Sequence, residues 1–171
     1  MRILHFSDVH LSLDKKAATE MLRDKMMDKL SSIIDSPNGK IDLVIFTGDF
    51  LDKSGKDDDG NSFANLREGL NCFVDLFVKP LMKLLCLPTD RFIITMGNHE
   101  IIRSKASDDE RILKNDAVEF KNFYWRIRSN NPVPWIDDFN QFEKDFYTDI
   151  SENHKYSQYQ LYSCHELNLD G

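Results

Sequence analysis

Three short apolar runs, each ending in a loop of carboxylate, imidazole or amide side chains, constrain this chain more than any other feature. Ile3–Phe6 leads into Asp8-Val9-His10, Ile41–Phe46 into Gly48-Asp49-Phe50-Leu51-Asp52, and Phe92–Met96 into Gly97-Asn98-His99-Glu100. The runs are bounded and rich in Ile, Val and Phe, which predicts buried strands of a parallel sheet. Open α/β sheets bind ligands outside the carboxyl ends of their strands. The three loops are therefore expected at one rim, where mixed oxygen and nitrogen donors suit divalent metals that activate water against a phosphate ester.

The segments between the runs supply the crossovers. Leu22, Met26, Leu30 and Ile33 recur at helical spacing, so Lys15–Ile34 reads as an amphipathic helix that Ser36-Pro37-Asn38-Gly39 stops. Strand, loop, helix, turn and strand make one right-handed βαβ unit, which brings Asp8 and Asp49 to the same rim. Lys53–Asn61 is polar and contains Asp57-Asp58-Asp59-Gly60. It lacks the spacing and twelfth-position glutamate of a calcium loop and reads as a solvated insert. Phe63, Leu66, Leu70, Phe73, Phe77, Leu81 and Leu84 then follow steps of three or four, predicting a long core-packing helix with a kink or break at Pro80.

Beyond Ile102 the pattern loosens. Ser107-Asp108-Asp109-Glu110 matches a capping box and opens a helix to about Arg128. It interleaves Phe120, Phe123, Tyr124, Trp125 and Ile127 with Lys121, Arg126 and Arg128, a packing helix with a solvated basic edge or, as the sharper reading, a surface for stacking bases. Asn130-Asn131-Pro132 breaks it, and Phe139, Phe142, Phe146 and Ile150 mark a further short helix. Tyr156–Tyr162 and Glu166–Leu169 read as strands, and Asp170-Gly171 is a hairpin-turn signal with no strand after it. His154 and His165 read as plain surface or edge-strand histidines. The expected architecture is one α/β domain over residues 1–171, with helical insertions at about 62–87 and 107–150.

Composition closes off some functions. Lys and Arg number 22 against 29 Asp and Glu, a formal charge of −7 with pI about 5.2. General nucleic-acid affinity needs basic residues to neutralise phosphates, so this balance disfavours it without excluding it. Cys72, Cys86 and Cys164 are odd in number and lack Cys-x-x-Cys spacing, which argues against a disulfide framework; Cys72 and Cys86 read as small core residues. With no signal-peptide pattern and no apolar run approaching about 18 residues, a soluble cytoplasmic protein is expected, with no membrane partner.

Taken singly, Asp8 and Asn98 read equally well as helix caps, and Asp49 and Asp52 as turn residues. Taken together, the ordered set Asp-x-His, Gly-Asp-x-x-Asp, Gly-Asn-His-Glu resembles the first half of the calcineurin-like metallophosphoesterase signature. The resemblance implies a layered metallophosphoesterase-like α/β sheet with flanking helices. It assigns Asp8 and His10 to a first metal, Asp49 to a bridge between two metals, and the Asn98 side-chain oxygen to the second. His99 matches the catalytic histidine that stabilises or protonates the departing group, and Glu100 would orient its imidazole. Asp52 supports its loop, while Gly48 and Gly97 allow bends that aim the neighbouring side chains.

The implied activity is hydrolysis of a phosphomonoester or phosphodiester by water activated on two divalent metals: manganese, iron or zinc, with magnesium as a further candidate. The family's later motifs, a histidine after another strand and then Gly-His-x-His, find no match here. The chain is therefore expected to be the N-terminal portion of a larger phosphoesterase, incomplete at the C-terminus and weak or inactive alone. The alternatives are a catalytically incomplete binding or regulatory module of a larger assembly, and a DNA nuclease.

Overall fold

The three apolar runs form a parallel sheet in the order β1-β2-β3, with β1 at Ile3–Phe6, β2 at Leu43–Thr47 and β3 at Phe92–Thr95. They are seen in a computed structural model that describes residues 1–37, 39–52, 63, 65–102, 121, 125, 133–159 and 161–168. Phe6 lies opposite Phe46, and Phe46 opposite Ile94, so the carboxyl ends are level and all three loops leave from one rim. Val44, Phe46, Phe92 and Ile94 are buried. The expectation of burial fails for β1, where Ile3 and His5 are exposed. Among the described residues it is an edge strand, and it meets the core through one face only, that of Leu4 and Phe6.

Helix α1 runs over Lys16–Ile34 and stops where Ser36 and Gly39 close the turn, through Ser36 N–H to the Ile33 carbonyl and Gly39 N–H to the Ser36 carbonyl. Its core face differs from the expected stripe. Met26, Met27, Leu30 and Ile34 pack inward, while Leu22 is 64 % and Ile33 50 % exposed. Arg23 accounts for part of the rotation, because its guanidinium turns inward to donate to the Leu76 carbonyl at 3.3 Å. That carbonyl is four residues before Pro80, which has no N–H to give it.

The expected break at Pro80 takes a specific form. α2 (Leu66–Phe73) passes into one π-helical turn, Val74–Val78, and continues as α3 (Lys79–Leu85). Widening the turn accommodates the proline without ending the helix. The predicted apolar stripe is otherwise core: Phe63, Leu66, Leu70, Phe73, Phe77 and Leu81 are all buried. Phe73 stacks on Phe50 at 4.5 Å between ring centroids, and Phe50 follows Asp49 directly. A buried Phe contributes roughly 1.5–3 kcal/mol, so this contact ties the second loop to the helix. Cys86 departs from the core assignment. It is exposed and caps α3 in the left-handed conformation, φ 52°.

Further along the chain, α4 spans Asp137–Phe146 and buries Phe139 and Phe142. β4 (His154–Gln158) and β5 (Ser163–Leu167) form an antiparallel hairpin, so the predicted strand Tyr156–Tyr162 contains the turn, closed by Tyr159 N–H to the Tyr162 carbonyl at 2.8 Å. Between α4 and the hairpin, Tyr147 reaches the side of β3 away from β2, which no described strand covers. Its hydroxyl accepts from Ile94 N–H at 2.9 Å and donates to the Phe92 carbonyl at 3.0 Å.

His154 and His165 are not plain surface residues. His154 is 3 % exposed and its Nε2 lies 2.9 Å from His165 Nδ1, because alternate residues of the hairpin pack on Tyr147. The acidic loop Asp57–Gly60, most of the Ser107–Arg128 helix and the Asp170-Gly171 turn lie outside the described residues. Among the described residues, no helix is long and apolar enough to cross a membrane.

Candidate metal centre

The loops after β1 and β2 are laced together before any side chain acts. Asp8 N–H donates to the Gly48 carbonyl, His10 N–H to the Asp49 carbonyl, Leu11 N–H to the Phe50 carbonyl and Asp52 N–H to the Leu11 carbonyl. Leu11, Phe50 and Leu51 are buried beneath them. The lacing bends the backbone sharply. Asp8, His10 and Asp49 adopt left-handed φ of 57°, 49° and 53°, a conformation that side chains with a Cβ rarely take and that concentrates at functional sites.

The bends bring three expected metal-binding residues together. One carboxylate oxygen of Asp8, one ring nitrogen of His10 and one carboxylate oxygen of Asp49 all lie within 4.8 Å of one another. Asp8 is the most open of the three, its side chain 64 % exposed, and Ser7 Oγ donates to its Oδ2. Sequence reasoning missed Ser7, although it stands directly beside the motif.

The fourth expected residue, Asn98, sits in a 3-10 turn, Asn98–Glu100, immediately after β3 and Gly97. Its amide lies 3.2 Å from both carboxylate oxygens of Asp49. Turned one way, the amide nitrogen donates to Asp49. Turned the other, its oxygen faces the carboxylate oxygens, a pairing of acceptors that a shared cation would make favourable. This donor set of two carboxylates, an imidazole and an amide oxygen fits a divalent transition metal or magnesium.

Two glycines make the approach of the second and third loops geometrically feasible. A Cβ on Gly48, whose φ is 82°, would stand 2.1 Å from Gly97 N, and one on Gly97 would stand 2.2 Å from Asp49 Oδ1. His99 follows, donating its backbone N–H to Asp49 Oδ1 at 3.1 Å. Its ring meets the His10 ring edge-to-face at 4.7 Å between centroids. Nδ1 lies 2.7 Å from the Leu51 carbonyl, which fixes the proton on Nδ1 and leaves Nε2 as the nitrogen free to exchange a proton with a substrate.

Glu100 has a different task from the one expected. It is fully buried, and its carboxylate accepts four backbone N–H groups: Asp49 at 2.9 Å and Gly97 at 2.8 Å on Oε2, Phe50 at 2.8 Å and Leu51 at 3.3 Å on Oε1. The imidazole of His99 is held by Leu51, and Glu100 holds the loops. Burial pushes its pKa above the ordinary carboxylate value, against the opposing pull of those N–H groups. Asp52 is largely buried and accepts from Lys15 Nζ at 2.8 Å, which ties the second loop to the start of α1. The Leu51 carbonyl and the Lys15 contact carried no signal in the sequence, since one is backbone and the other a common surface residue.

Comparison with known proteins gives one family. The model described as calcineurin-like phosphoesterase matches residues 1–170. No curated protein and no solved structure matches the chain significantly.

Proposed function

The chain belongs to the calcineurin-like phosphoesterase family, and from that membership we propose that it hydrolyses a phosphomonoester or phosphodiester at the rim built by Asp8, His10, Asp49 and Asn98. The observation that carries this reading is the convergence of Asp8, His10 and Asp49 donor atoms within 4.8 Å at the ends of two adjacent strands. Asp8 and His10 would hold one divalent ion, Asp49 would serve it and a second, and Asn98 would supply its amide oxygen to the second. Bound there, two such ions lower the pKa of a water and neutralise phosphoryl charge. Nε2 of His99, the ring nitrogen that Leu51 does not hold, would exchange a proton with the departing oxygen. Glu100 and the two glycines hold these groups in place.

Calorimetric titration of manganese into the purified chain and into Asp49→Ala, paired with turnover of p-nitrophenyl phosphate and bis-p-nitrophenyl phosphate, tests the proposal. Manganese-dependent hydrolysis that chelator abolishes and Asp49→Ala lacks is the expected result. Equal manganese affinity in the two proteins would overturn the assignment. Manganese binding through Asp49 without turnover of either ester would favour the binding-module alternative.

A further inference from the structure

Beside the metal centre, the carboxyl end of β3, helix α4 and the β4–β5 hairpin border an open-mouthed cavity of about 200 Å³. Thr95 and Met96 line it from β3, Phe139 and Glu143 from α4, and Tyr162 and Ser163 from the hairpin. It shares the rim with the metal centre. Asn98 is two residues beyond Met96, at most about 7 Å of extended chain.

Its polar wall has a definite sense. Ser163 Oγ donates to Glu143 Oε1 at 2.6 Å, and Gln158 Nε2 donates to Oε2 at 3.2 Å. His165 Nε2 lies 3.0 Å from Ser163 Oγ, and His154 Nε2 lies 2.9 Å from His165 Nδ1. Ser163 has one proton and gives it to Glu143, so His165 must donate to Ser163 through Nε2. His154 Nε2 shares the hydrogen bond at the other ring nitrogen, Nδ1. The bonds from Ser163 and Gln158 both point towards Glu143, whose side chain is only 4 % exposed.

Each carboxylate oxygen already accepts one of these bonds and keeps further lone-pair capacity. The wall therefore offers two adjacent acceptors on one carboxylate, held in place by Ser163 and Gln158. Two acceptors side by side match a planar edge carrying two neighbouring N–H groups, which both oxygens can take at once; a quaternary ammonium has no N–H to give them.

The hairpin turn adds an aromatic surface. Tyr159 and Tyr162 stack at 4.6 Å between centroids and are 47 % and 64 % exposed. Exposed aromatic faces beside a polar wall are what a base stacks on. The net charge of −7 gives no electrostatic help to a long polyanion, so a single nucleotide suits the chain better than a polymer.

We propose that this cavity is a subsite for the nucleobase of the phosphate ester, with guanine preferred because its N1–H and N2–H can both meet Glu143. The inference rests on the phosphoesterase reading for its link to the metal centre, and on the cavity alone for the base.

Titrations of the full chain with guanosine, adenosine and choline, and with guanosine monophosphate with and without manganese, test it by ligand-observed NMR. Guanosine should bind more tightly than adenosine and choline, and Glu143→Gln and the exposed Tyr162→Ala should each weaken it by about tenfold. Manganese should tighten the nucleotide but not the nucleoside, and Asp49→Ala should lose that gain while keeping guanosine binding. If guanosine behaves as expected and manganese adds nothing, the subsite stands and the phosphoesterase reading falls. If manganese-dependent nucleotide binding is unaffected by both cavity variants, or choline binds better than guanosine, the subsite is wrong and the metal centre is untouched.

Discussion

Replacing Glu100 by glutamine separates a loop clamp from an imidazole-orienting group. The wild-type carboxylate accepts four backbone N–H groups drawn from two loops, at 2.8–3.3 Å. A glutamine of the same shape keeps one oxygen, which serves two of them, and turns an NH2 group on the other two. The amide should settle with its nitrogen towards Phe50 and Leu51, since the Leu51 bond, at 3.3 Å, is the longest of the four. Two hydrogen bonds to a charged acceptor are worth roughly 1.5–3 kcal/mol each. Removing the buried charge recovers part of that, because burial already disfavours the ionised form. The expected net loss is about 2–4 kcal/mol, large against a domain stability of roughly 5–15 kcal/mol. Urea unfolding at pH 7.5 measures it, and a manganese titration reads the released Asp49 loop as weakened affinity. A loss below about 1 kcal/mol with unchanged manganese affinity would refute the clamp. Were turnover alone impaired, with stability and metal binding intact, the role of orienting His99 would return to Glu100.

Gly97→Ala places a Cβ 2.2 Å from Asp49 Oδ1, so the carboxylate must swing aside; manganese affinity should fall by roughly 10–100-fold, with the far-ultraviolet circular dichroism unchanged. Tyr147→Phe leaves Ile94 N–H and the Phe92 carbonyl without their shared partner, and urea unfolding should show a loss of about 2–3 kcal/mol. Burial, then the neighbouring His165, depresses the pKa of His154 below its ordinary 6.5. The unfolded chain therefore takes up a proton at this position that the folded chain refuses, and stability should fall as pH drops from 6.5 through the lowered folded value. The urea midpoint compared at pH 7.5 and 5 should decline less in His154→Phe than in the wild type.

The rim was legible because it depends on short-range pattern: three bounded apolar runs, each followed by donor-bearing residues, put Asp8, His10, Asp49 and Asn98 at level strand ends. The face of α1 was harder to read. Leu22 and Ile33 fit a helical stripe as well as Met27 and Ile34 do, and Arg23 turning in to the Leu76 carbonyl is part of what decides between them. Glu100 was identified as a site residue with the wrong partner, because its partners are backbone N–H groups, which no side-chain pattern encodes. His154 and His165 looked peripheral for a similar reason. A two-residue alternation shows which side chains share a face, and only the docking of the hairpin on Tyr147 makes that face an interior.

Three residues held at left-handed φ pose an energetic question that the surroundings answer. Asp8, His10 and Asp49 together carry strain of roughly 3–9 kcal/mol at about 1–3 kcal/mol each. Burial of Leu11, Phe50 and Leu51 offsets it at roughly 1.5–3 kcal/mol per side chain, and all three sit in the strained loops themselves. The strain is thus compensated by the residues interleaved with the donors, and the four bonds to Glu100 add to that from below. A cation arriving at such a rim does not have to order the loops, so its binding free energy is not spent on folding them. The apolar residues of Gly48-Asp49-Phe50-Leu51-Asp52 therefore belong to the site as much as its aspartates do, although their side chains carry no donor atom.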